Sequence, residues 1–533
     1  MSGTTRFFRS FMLVAFLLAS VLGCEGQGDS GGDFRVEFPG SSDCAAAPGV
    51  FPSGLALVPN ASGLALLVEN TFAGLRTYSL NGDRPESLSF ASLGLDSDGD
   101  GRDDVEAMEE IIGFPLNLET GNVSLASDSV ALISSSNIEQ VMIADPVVGQ
   151  LTQVRVVVDA GIPPNRYPLL PAPGTTAMRT AISTLTCLFP DDEFDSGGRP
   201  LGSEDVCDPD DIGFLSNLTA GTAVAGGRLF VAMSNNRNGT RYYPGVVLVF
   251  DWAQSGDEIT ISPSVETPLL WTSGYNPSGV VRVETPGGRE VVLVTNTGAI
   301  GSGAGASNVL TEAFVDVIDP NEPRIVARIP LGFAGPGLEA PAIDPSGGLA
   351  WLGATSLRQL YAVDLRALDD DALYAPLSGG TAMEDDPAVT LDGLDLVGSD
   401  ARVFDADRPL VIPARTDRPA PPECQGLTSV AVNSAGTEAY ATDFCDGTLT
   451  RVRYDLRLAD SIPFDQSEFQ IGVQTSPWAP SGALTDEKRN PSLIAVRPGR
   501  PGVDYEGPDV FVVIGLPDSN LCAVRVESEA PVE

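Results

Sequence analysis

One pattern recurs along most of this chain: an alternating strand, a Gly-containing turn, a second apolar strand, a gap, and a third strand ending in Asp. It is clearest where Leu338-Glu-Ala-Pro-Ala-Ile-Asp-Pro-Ser-Gly-Gly-Leu-Ala-Trp-Leu352 leads to Leu360-Tyr-Ala-Val-Asp-Leu365. It is equally clear where Leu427-Thr-Ser-Val-Ala-Val-Asn-Ser-Ala-Gly-Thr-Glu-Ala-Tyr-Ala441 leads to Leu449-Thr-Arg-Val-Arg-Tyr-Asp-Leu456. The same grammar covers Leu55 to Leu80, Gly221 to Asp251 and Val280 to Asp319, with weaker copies from Val123 to Asp145 and Leu493 to Val526. Period-two alternation bounded by Asn, Asp and Gly turns means antiparallel strands. Each unit carries an apolar face that it cannot bury alone. Packing the units face to face in a ring buries those faces and leaves only short edges.

These units resemble the YVTN-type repeats of bacterial β-propellers, in which a Pro-Asp-Gly-like hairpin is coupled to a Val-Ile-Asp strand. The resemblance covers most of residues 50 to 528 and implies an all-β propeller; it is nearly silent on activity. Seven blades are expected, beginning near residues 53, 123, 218, 276, 336, 426 and 491, with six or eight as alternatives and a pair of β-sandwiches as the competing fold. Compact propeller repeats take roughly 40–45 residues, so a 533-residue chain requires long inter-blade insertions. They fall at 95–118, 159–217 and 366–425 within a propeller spanning 44–528, followed by a tail at 529–533.

Composition narrows the chemistry. There is no histidine, which excludes Ser-His-Asp catalysis, His-ligated zinc and haem held through histidine. Acids outnumber bases 72 to 31, for a net charge of -41, so the chain lacks the basic footprint that nucleic acid requires. Gly28-Asp-Ser-Gly-Gly32 matches a serine-protease string, but no histidine exists to act as its base. Gly301-Ser-Gly-Ala-Gly-Ala306 has the look of a dinucleotide loop, yet it joins antiparallel strands without a βαβ unit.

The N-terminus reads as an address. Arg6 and Arg9 precede a twelve-residue apolar run, Phe11 to Leu22, too short for a bilayer-spanning helix and suited to an export signal. Val21-Leu22-Gly23-Cys24 resembles the lipobox of bacterial lipoproteins, which implies removal of residues 1–23 and lipid on Cys24. Residues 24–43, Gly-rich at first, then form a flexible tether. The expected location is an exported protein held on a membrane by its lipid. The outer membrane is favoured because Glu25, and not Asp, follows Cys24.

With Cys24 lipidated, six of seven cysteines remain, and an even count in an exported chain favours disulfides over free thiols, with fifteen connectivities open. A four-residue loop from Asn433 to Gly436 would set Val432 opposite Thr437, and extending that register sets Cys424 opposite Cys445. Cys187 and Cys207 bracket one insertion. Cys44 and Cys522 remain, one near each end, where a bond would lock the first blade to the last.

The sharpest metal signal is Asp96-Ser-Asp-Gly-Asp-Gly-Arg-Asp-Asp-Val-Glu106. Carboxylates at loop positions 1, 3 and 5 with Gly at 6 can wrap oxygens around a hard cation. Asp96, Asp98 and Asp100 fill those places, the Arg102 carbonyl takes position 7, and Asp104 takes position 9. The string resembles the calcium loops of thrombospondin type-3 and dockerin-like repeats and implies a structural calcium ion. It departs at position 12, where Ala107 stands, so Glu106 is the candidate substitute; a solvated acidic loop is the alternative reading. The acidic runs at 191–195, 208–211, 369–371 and 384–386 lack the alternating spacing and read as solvated surface. Trp351 sits in a strand and reads as core.

The functional expectation is a lipid-anchored cell-envelope propeller that binds or scaffolds a protein or glycan. The alternative is a metal-dependent propeller hydrolase or lactonase working through carboxylates, since one protonated and one ionised acid can do acid–base work without histidine. Three or more carboxylates converging on the ring axis would favour that alternative.

Overall fold

The computed structural model describes short segments of chain between residues 36 and 526. Residues 1–35, 93–119, 158–185, 188–204, 207–217, 299–310, 333–339, 375–409, 412–426, 459–469, 478–490, 497–509 and 527–533 lie outside the described residues, as do shorter stretches at several strand ends. The described residues are almost entirely strands, arranged in seven sheets of four or five strands and two two-stranded ribbons. The fold is an all-β propeller.

Sheet 1 runs Pro52–Val58, Leu64–Glu69, Gly74–Ser79, Glu86–Ser92, and sheet 2 runs Thr120–Ser127, Val130–Ser135, Gln140–Asp145, Gln150–Val157. Sheet 3 runs Leu218–Ala225, Arg228–Ser234, Pro244–Ser255, Glu258–Pro263, with Leu269–Tyr275 covering the other half of the long third strand. Sheet 4 is Pro277–Glu284, Glu290–Asn296, Ala313–Asp319, Arg324–Gly332; sheet 5 is Ala342–Ile343, Leu349–Ala354, Gln359–Asp364, Leu410–Val411. Sheet 6 is Ser429–Val432, Glu438–Asp443, Thr448–Tyr454, Gln470–Pro477. Sheet 7 is Pro491–Val496, Val510–Ile514, Asn520–Val526, and its outer edge is completed from the other end of the chain by Val36–Glu37 and Cys44–Ala46. Two of these strands fall where the sequence suggests something else: Val36–Glu37 within the expected tether, and Leu410–Val411 within the expected 366–425 insertion. In both cases an open sheet edge supplies backbone partners that composition does not reveal.

Each sheet's first strand packs against the first strand of the next around most of the ring, and the first strand of sheet 7 returns to that of sheet 1. The approach is close. A Cβ added to Gly54 would lie 3.0 Å from the Val123 amide nitrogen, and one added to Gly221 the same distance from that of Val280. Apolar residues fill the gaps between sheets. Leu229, Val231 and Leu248 face Leu132 and Ile143 across sheets 2 and 3. Phe230 and Val249 meet Val280 and Val292 across sheets 3 and 4. A larger core built on Leu293, Trp351, Tyr361 and Tyr454 runs through sheets 4, 5 and 6. Phe511 and Leu521 pack on Ala65 and Tyr78, sealing sheet 7 against sheet 1.

The Asp that ends so many third strands has a local purpose. Oδ1 of Asp319, Asp364 and Asp455 accepts the backbone N–H two residues on, at 2.9, 3.0 and 3.1 Å, and so turns the chain towards the outer strand. The sheet 6 hairpin differs from the expected register. Val432 faces Ala439 instead of Thr437, because Asn433 Oδ1 accepts from both Thr437 N and Glu438 N and widens the loop. Extended straight, that register sets residue 424 opposite 447, so direct opposition no longer argues for a Cys424–Cys445 bond; both cysteines lie outside the described residues.

Candidate functional site

The strand order gives the ring two unlike faces. On one, here the turn face, lie the hairpins joining first to second and third to fourth strands. These turns are tied to their neighbours. Gly226 N donates to Glu290 Oε2 at 2.7 Å, and Arg228 Nη1 donates to the carbonyls of Pro320 and Asn321 at 2.6 and 2.9 Å. Asp369 accepts from Thr285 Oγ1 and, at 2.8 Å, from Gly287 N. The buried Tyr454 hydroxyl donates to Asp344 Oδ2 at 2.5 Å, while Ser346 N donates to Asp344 Oδ1 at 2.8 Å. Burial and the neighbouring Asp344 carboxylate push the Tyr454 phenol well above its usual range.

The strand ends that bound residues 93–119, 158–217 and 299–310 lie on the opposite face. That face therefore takes the chain leading into the calcium-type string and both ends of the 159–217 insertion. The stretch 375–409, reached from the third strand of sheet 5, departs instead from the turn face.

The axis is lined by the seven first strands. Apart from Asn122, Arg282 and Glu284 their side chains are apolar or carry hydroxyls, and Leu55, Leu57, Val224, Val430 and Ile494 pack into the clusters between sheets. Ser124 Oγ and Thr222 Oγ1 hydrogen-bond at 2.7 Å across two sheets. Among these strands the acids number one, Glu284, and the bases one, Arg282, which is paired with Glu290. A hydrolase at the axis would need convergent carboxylates that these strands do not contain.

One fully buried carboxylate sits between sheets 3 and 4. Asp316 is fully buried in the centre of the apolar strand Ala313–Asp319. Ser273 donates both its hydroxyl and, at 2.8 Å, its N–H to Asp316, and Asn296 Nδ2 donates at 2.9 Å. Burial raises the Asp316 pKa above its ordinary value; the Ser273 and Asn296 hydrogen bonds and the Arg328 charge work in the other direction. Beside it Asn276 adopts a left-handed backbone (φ 56°), lets Ser234 Oγ donate to its Oδ1 at 2.9 Å, and donates from Nδ2 to Thr297 Oγ1 at 3.0 Å. These groups hydrogen-bond to one another and pin the seam, while the buried Asn296 Oδ1 is left without a partner among the described residues. Sequence inspection missed them, although an Asp at the inward register of Ala313-Phe-Val-Asp-Val-Ile-Asp319 is a visible break in alternation.

Of the residues singled out from the sequence, the structure joins Cys44 to Cys522 in a disulfide, with the two directly opposed in the ladder between Cys44–Ala46 and Asn520–Val526. The ribbon Thr186–Cys187 with Asp205–Val206 brings the two ends of that insertion together and sets Cys187 opposite Asp205. Cys24, Cys207, Asp96, Asp98, Asp100, Arg102, Asp104 and Glu106 lie outside the described residues. Trp351 is core and packs against Tyr454 with ring centroids 5.3 Å apart. Among the described residues no helix is long and apolar enough to cross a membrane.

No family model matches the chain, and no curated protein matches it. Solved structures do. The β-propeller domain of Cps50 (Swd1) from Myceliophteria thermophila aligns with 90% of this chain and 100% of its own, at 9% identity and a TM-score of 0.43. Hydrazine synthase from Kuenenia stuttgartiensis aligns with 95% of this chain and 100% of its own, at 10% identity and 0.42. The Dos1 propeller aligns with 89% and 78%, at 9% identity and 0.40. Likeness at this level concerns the arrangement of strands and says nothing of activity.

Proposed function

We propose that the seven sheets are the blades of one closed ring, that the ring is held on a cell-envelope membrane by lipid on Cys24, and that it works as a binding or scaffold module. The observation that carries this reading is the distribution of chemistry over the ring. The first strands carry mainly apolar and hydroxyl side chains and a single acid, Glu284, whereas the segments 93–119 and 158–217 both leave and re-enter the ring on the face opposite the turns. Such a ring offers a broad, shaped rim to a protein or glycan, and its described first strands bring no pair of carboxylates to a substrate on the axis. A structural calcium ion held by Asp96, Asp98, Asp100, the Arg102 carbonyl, Asp104 and Glu106 would stiffen the loop between sheets 1 and 2; support for it is the spacing of those carboxylates.

Site-specific photo-crosslinking in the native envelope tests the binding role. Labels at Asn70 and Asn137, whose adjoining strands end on the face opposite the turns, should trap a partner. Labels at Pro286 and Ser434 on the turn face should not. Equal trapping from both faces, or hydrolysis of esters or lactones that disappears in Glu284→Gln, would overturn the proposal. Cys24→Ala should move the protein from the membrane to the soluble fraction. Calorimetric calcium titration of wild type against Asp98→Ala should show heat in the first alone.

A further inference from the structure

Three side chains of different redox and acid–base character meet at the seam between sheets 5 and 6. Trp351 lies in the second strand of sheet 5, Asp344 in the hairpin before it, and Tyr454 at the end of the third strand of sheet 6. All three are buried. The Trp351 and Tyr454 ring centroids are 5.3 Å apart with the planes tilted by 52°, an ordinary aromatic contact. The Tyr454 hydroxyl donates to Asp344 Oδ2 at 2.5 Å, and Asp344 Oδ1 accepts from Ser346 N at 2.8 Å and from Ser346 Oγ. Asp344 is thus the acceptor in each of these bonds. A Cβ added to Gly436, whose φ is 64°, would lie 2.8 Å from Asp344 Oδ2, so the backbone of the sheet 6 hairpin closes over the carboxylate. Other phenols have different partners. Tyr361 donates to the Gln359 amide oxygen at 2.7 Å and Tyr374 to the Leu368 carbonyl at 3.1 Å, and neither acceptor is a base. Tyr440 donates to Glu438 Oε2 at 2.5 Å, but that carboxylate is 24% exposed.

A phenol gives up an electron readily only when its proton can leave at the same time, because the phenol radical cation is a very strong acid. A positioned base in hydrogen-bond contact supplies that exit. From this geometry we infer that Trp351, Tyr454 and Asp344 form a one-electron relay in which Tyr454 is the resting place of an oxidising equivalent. A one-electron oxidant, such as an organic radical or an oxidised metal complex, removes an electron from the Trp351 indole. An electron then passes from the Tyr454 ring to the indole radical cation, which returns to neutral indole. The Tyr454 O–H bond breaks and its proton moves to Asp344 Oδ2. The products are a neutral tyrosyl radical, a protonated Asp344 and a reduced oxidant. Return of one electron to Tyr454 and of the proton from Asp344 restores the starting state. Electron transfer requires proximity and not collision, so the burial of Trp351 does not shut the oxidant out. Burial and the Asp344 charge keep the phenol protonated until its electron leaves. The relay is independent of the binding role, the lipid and the calcium loop.

Laser flash photolysis of the full chain tests it, with tryptophan ionised by the pulse and the ejected electron taken by dissolved oxygen. The visible band of the tryptophan radical should decay as the sharp tyrosyl band grows. The rate of this coupled phase should be independent of protein concentration and lower in heavy water. Trp351→Phe and Tyr454→Phe should each abolish the phase, Asp344→Asn should slow it about 100-fold, and Tyr361→Phe should leave it unchanged. Near-ultraviolet circular dichroism checks the packing of each variant, and the heavy-water effect in wild type reads the proton step without any substitution. Absence of the coupled phase in wild type, its survival in Tyr454→Phe, or equal rates in light and heavy water would overturn the inference.

Discussion

Sheets 5 and 6 leave their third strands through the same three residues, Asp364-Leu365-Arg366 and Asp455-Leu456-Arg457. The local chemistry is nearly identical. In each, the Arg N–H donates to Asp Oδ1, Arg Nε donates to the same oxygen, and Arg Nη2 donates to Oδ2 at 2.7 Å. The surroundings differ. The Asp364 side chain is 0% exposed and that of Arg366 20%, whereas Asp455 is 21% exposed and Arg457 88%. Leu365 is buried in the shared core of sheets 4 to 6, and the short helical turn Asp371–Tyr374 follows. Its end is held to sheet 4 by Arg324 Nη2, which donates to the Tyr374 carbonyl at 2.7 Å, while the Arg289 guanidinium lies 3.7 Å over the Tyr374 ring. Nothing comparable covers the sheet 6 corner among the described residues. One motif thus makes a buried ion pair in one blade and a surface turn in the next. Local sequence sets the hydrogen bonds, and burial sets what they are worth.

The largest effect should follow from breaking the covered corner. Arg366→Ala leaves the Asp364 carboxylate buried with only its backbone donor, and should cost about 3–5 kcal/mol of unfolding free energy in urea titrations. A cost equal to that of Arg457→Ala would refute the contrast. Next, Tyr454→Phe removes a buried donor from Asp344 and should cost about 1–3 kcal/mol. Because the Tyr454 pKa is raised, its folded form keeps a proton that the unfolded chain releases above about 10, so wild-type stability should decline with rising pH beyond that point. The phenylalanine variant should decline less steeply.

A smaller effect comes from Asp316, a buried carboxylate held mainly by neutral donors and not by a forked arginine. Its folded pKa lies above 3.8, so the folded state holds a proton that the unfolded state has lost as pH rises from 3.8 towards the shifted value. Stability contributed by that proton is present below the window and falls through it. Asp316→Asn should remove this part of the pH slope; an unchanged slope would mean that the carboxylate is ionised throughout. The smallest effect belongs to the open corner. The Asp455 pKa is lowered, chiefly by its hydrogen bond to Arg457, so any contribution is present above 3.8 and lost as pH falls below it. Arg457→Ala should leave the urea midpoint unchanged at 0.15 M salt, where exposed pairs are screened.

Much of the architecture was legible without coordinates. First strands begin at residues 52, 120, 218, 277, 342, 429 and 491, close to the blade starts read from the repeating unit. The terminal Asp of the third strand was visible as a punctuation mark, and its hydrogen bond two residues on gives the reason. Three things were not legible. The widened hairpin after Val432 depends on which backbone groups the Asn433 side chain captures, a choice that turn length alone does not specify. The strand at Val36–Glu37 forms because an edge at the far end of the chain lacks a partner. Asp316 looks like an error in an apolar strand until Ser273 and Asn296 are seen to surround it.

Taken alone, the sequence determined the all-β class, the unit of repetition and the residues that turn each corner, because alternation and turn chemistry act between residues a few positions apart. Only the tertiary structure decided which polar groups are buried, which corner is covered and how the two ends of the chain meet. Those outcomes depend on surfaces brought together from distant blades, and the free energy of a charge or a hydrogen bond depends on the water removed around it.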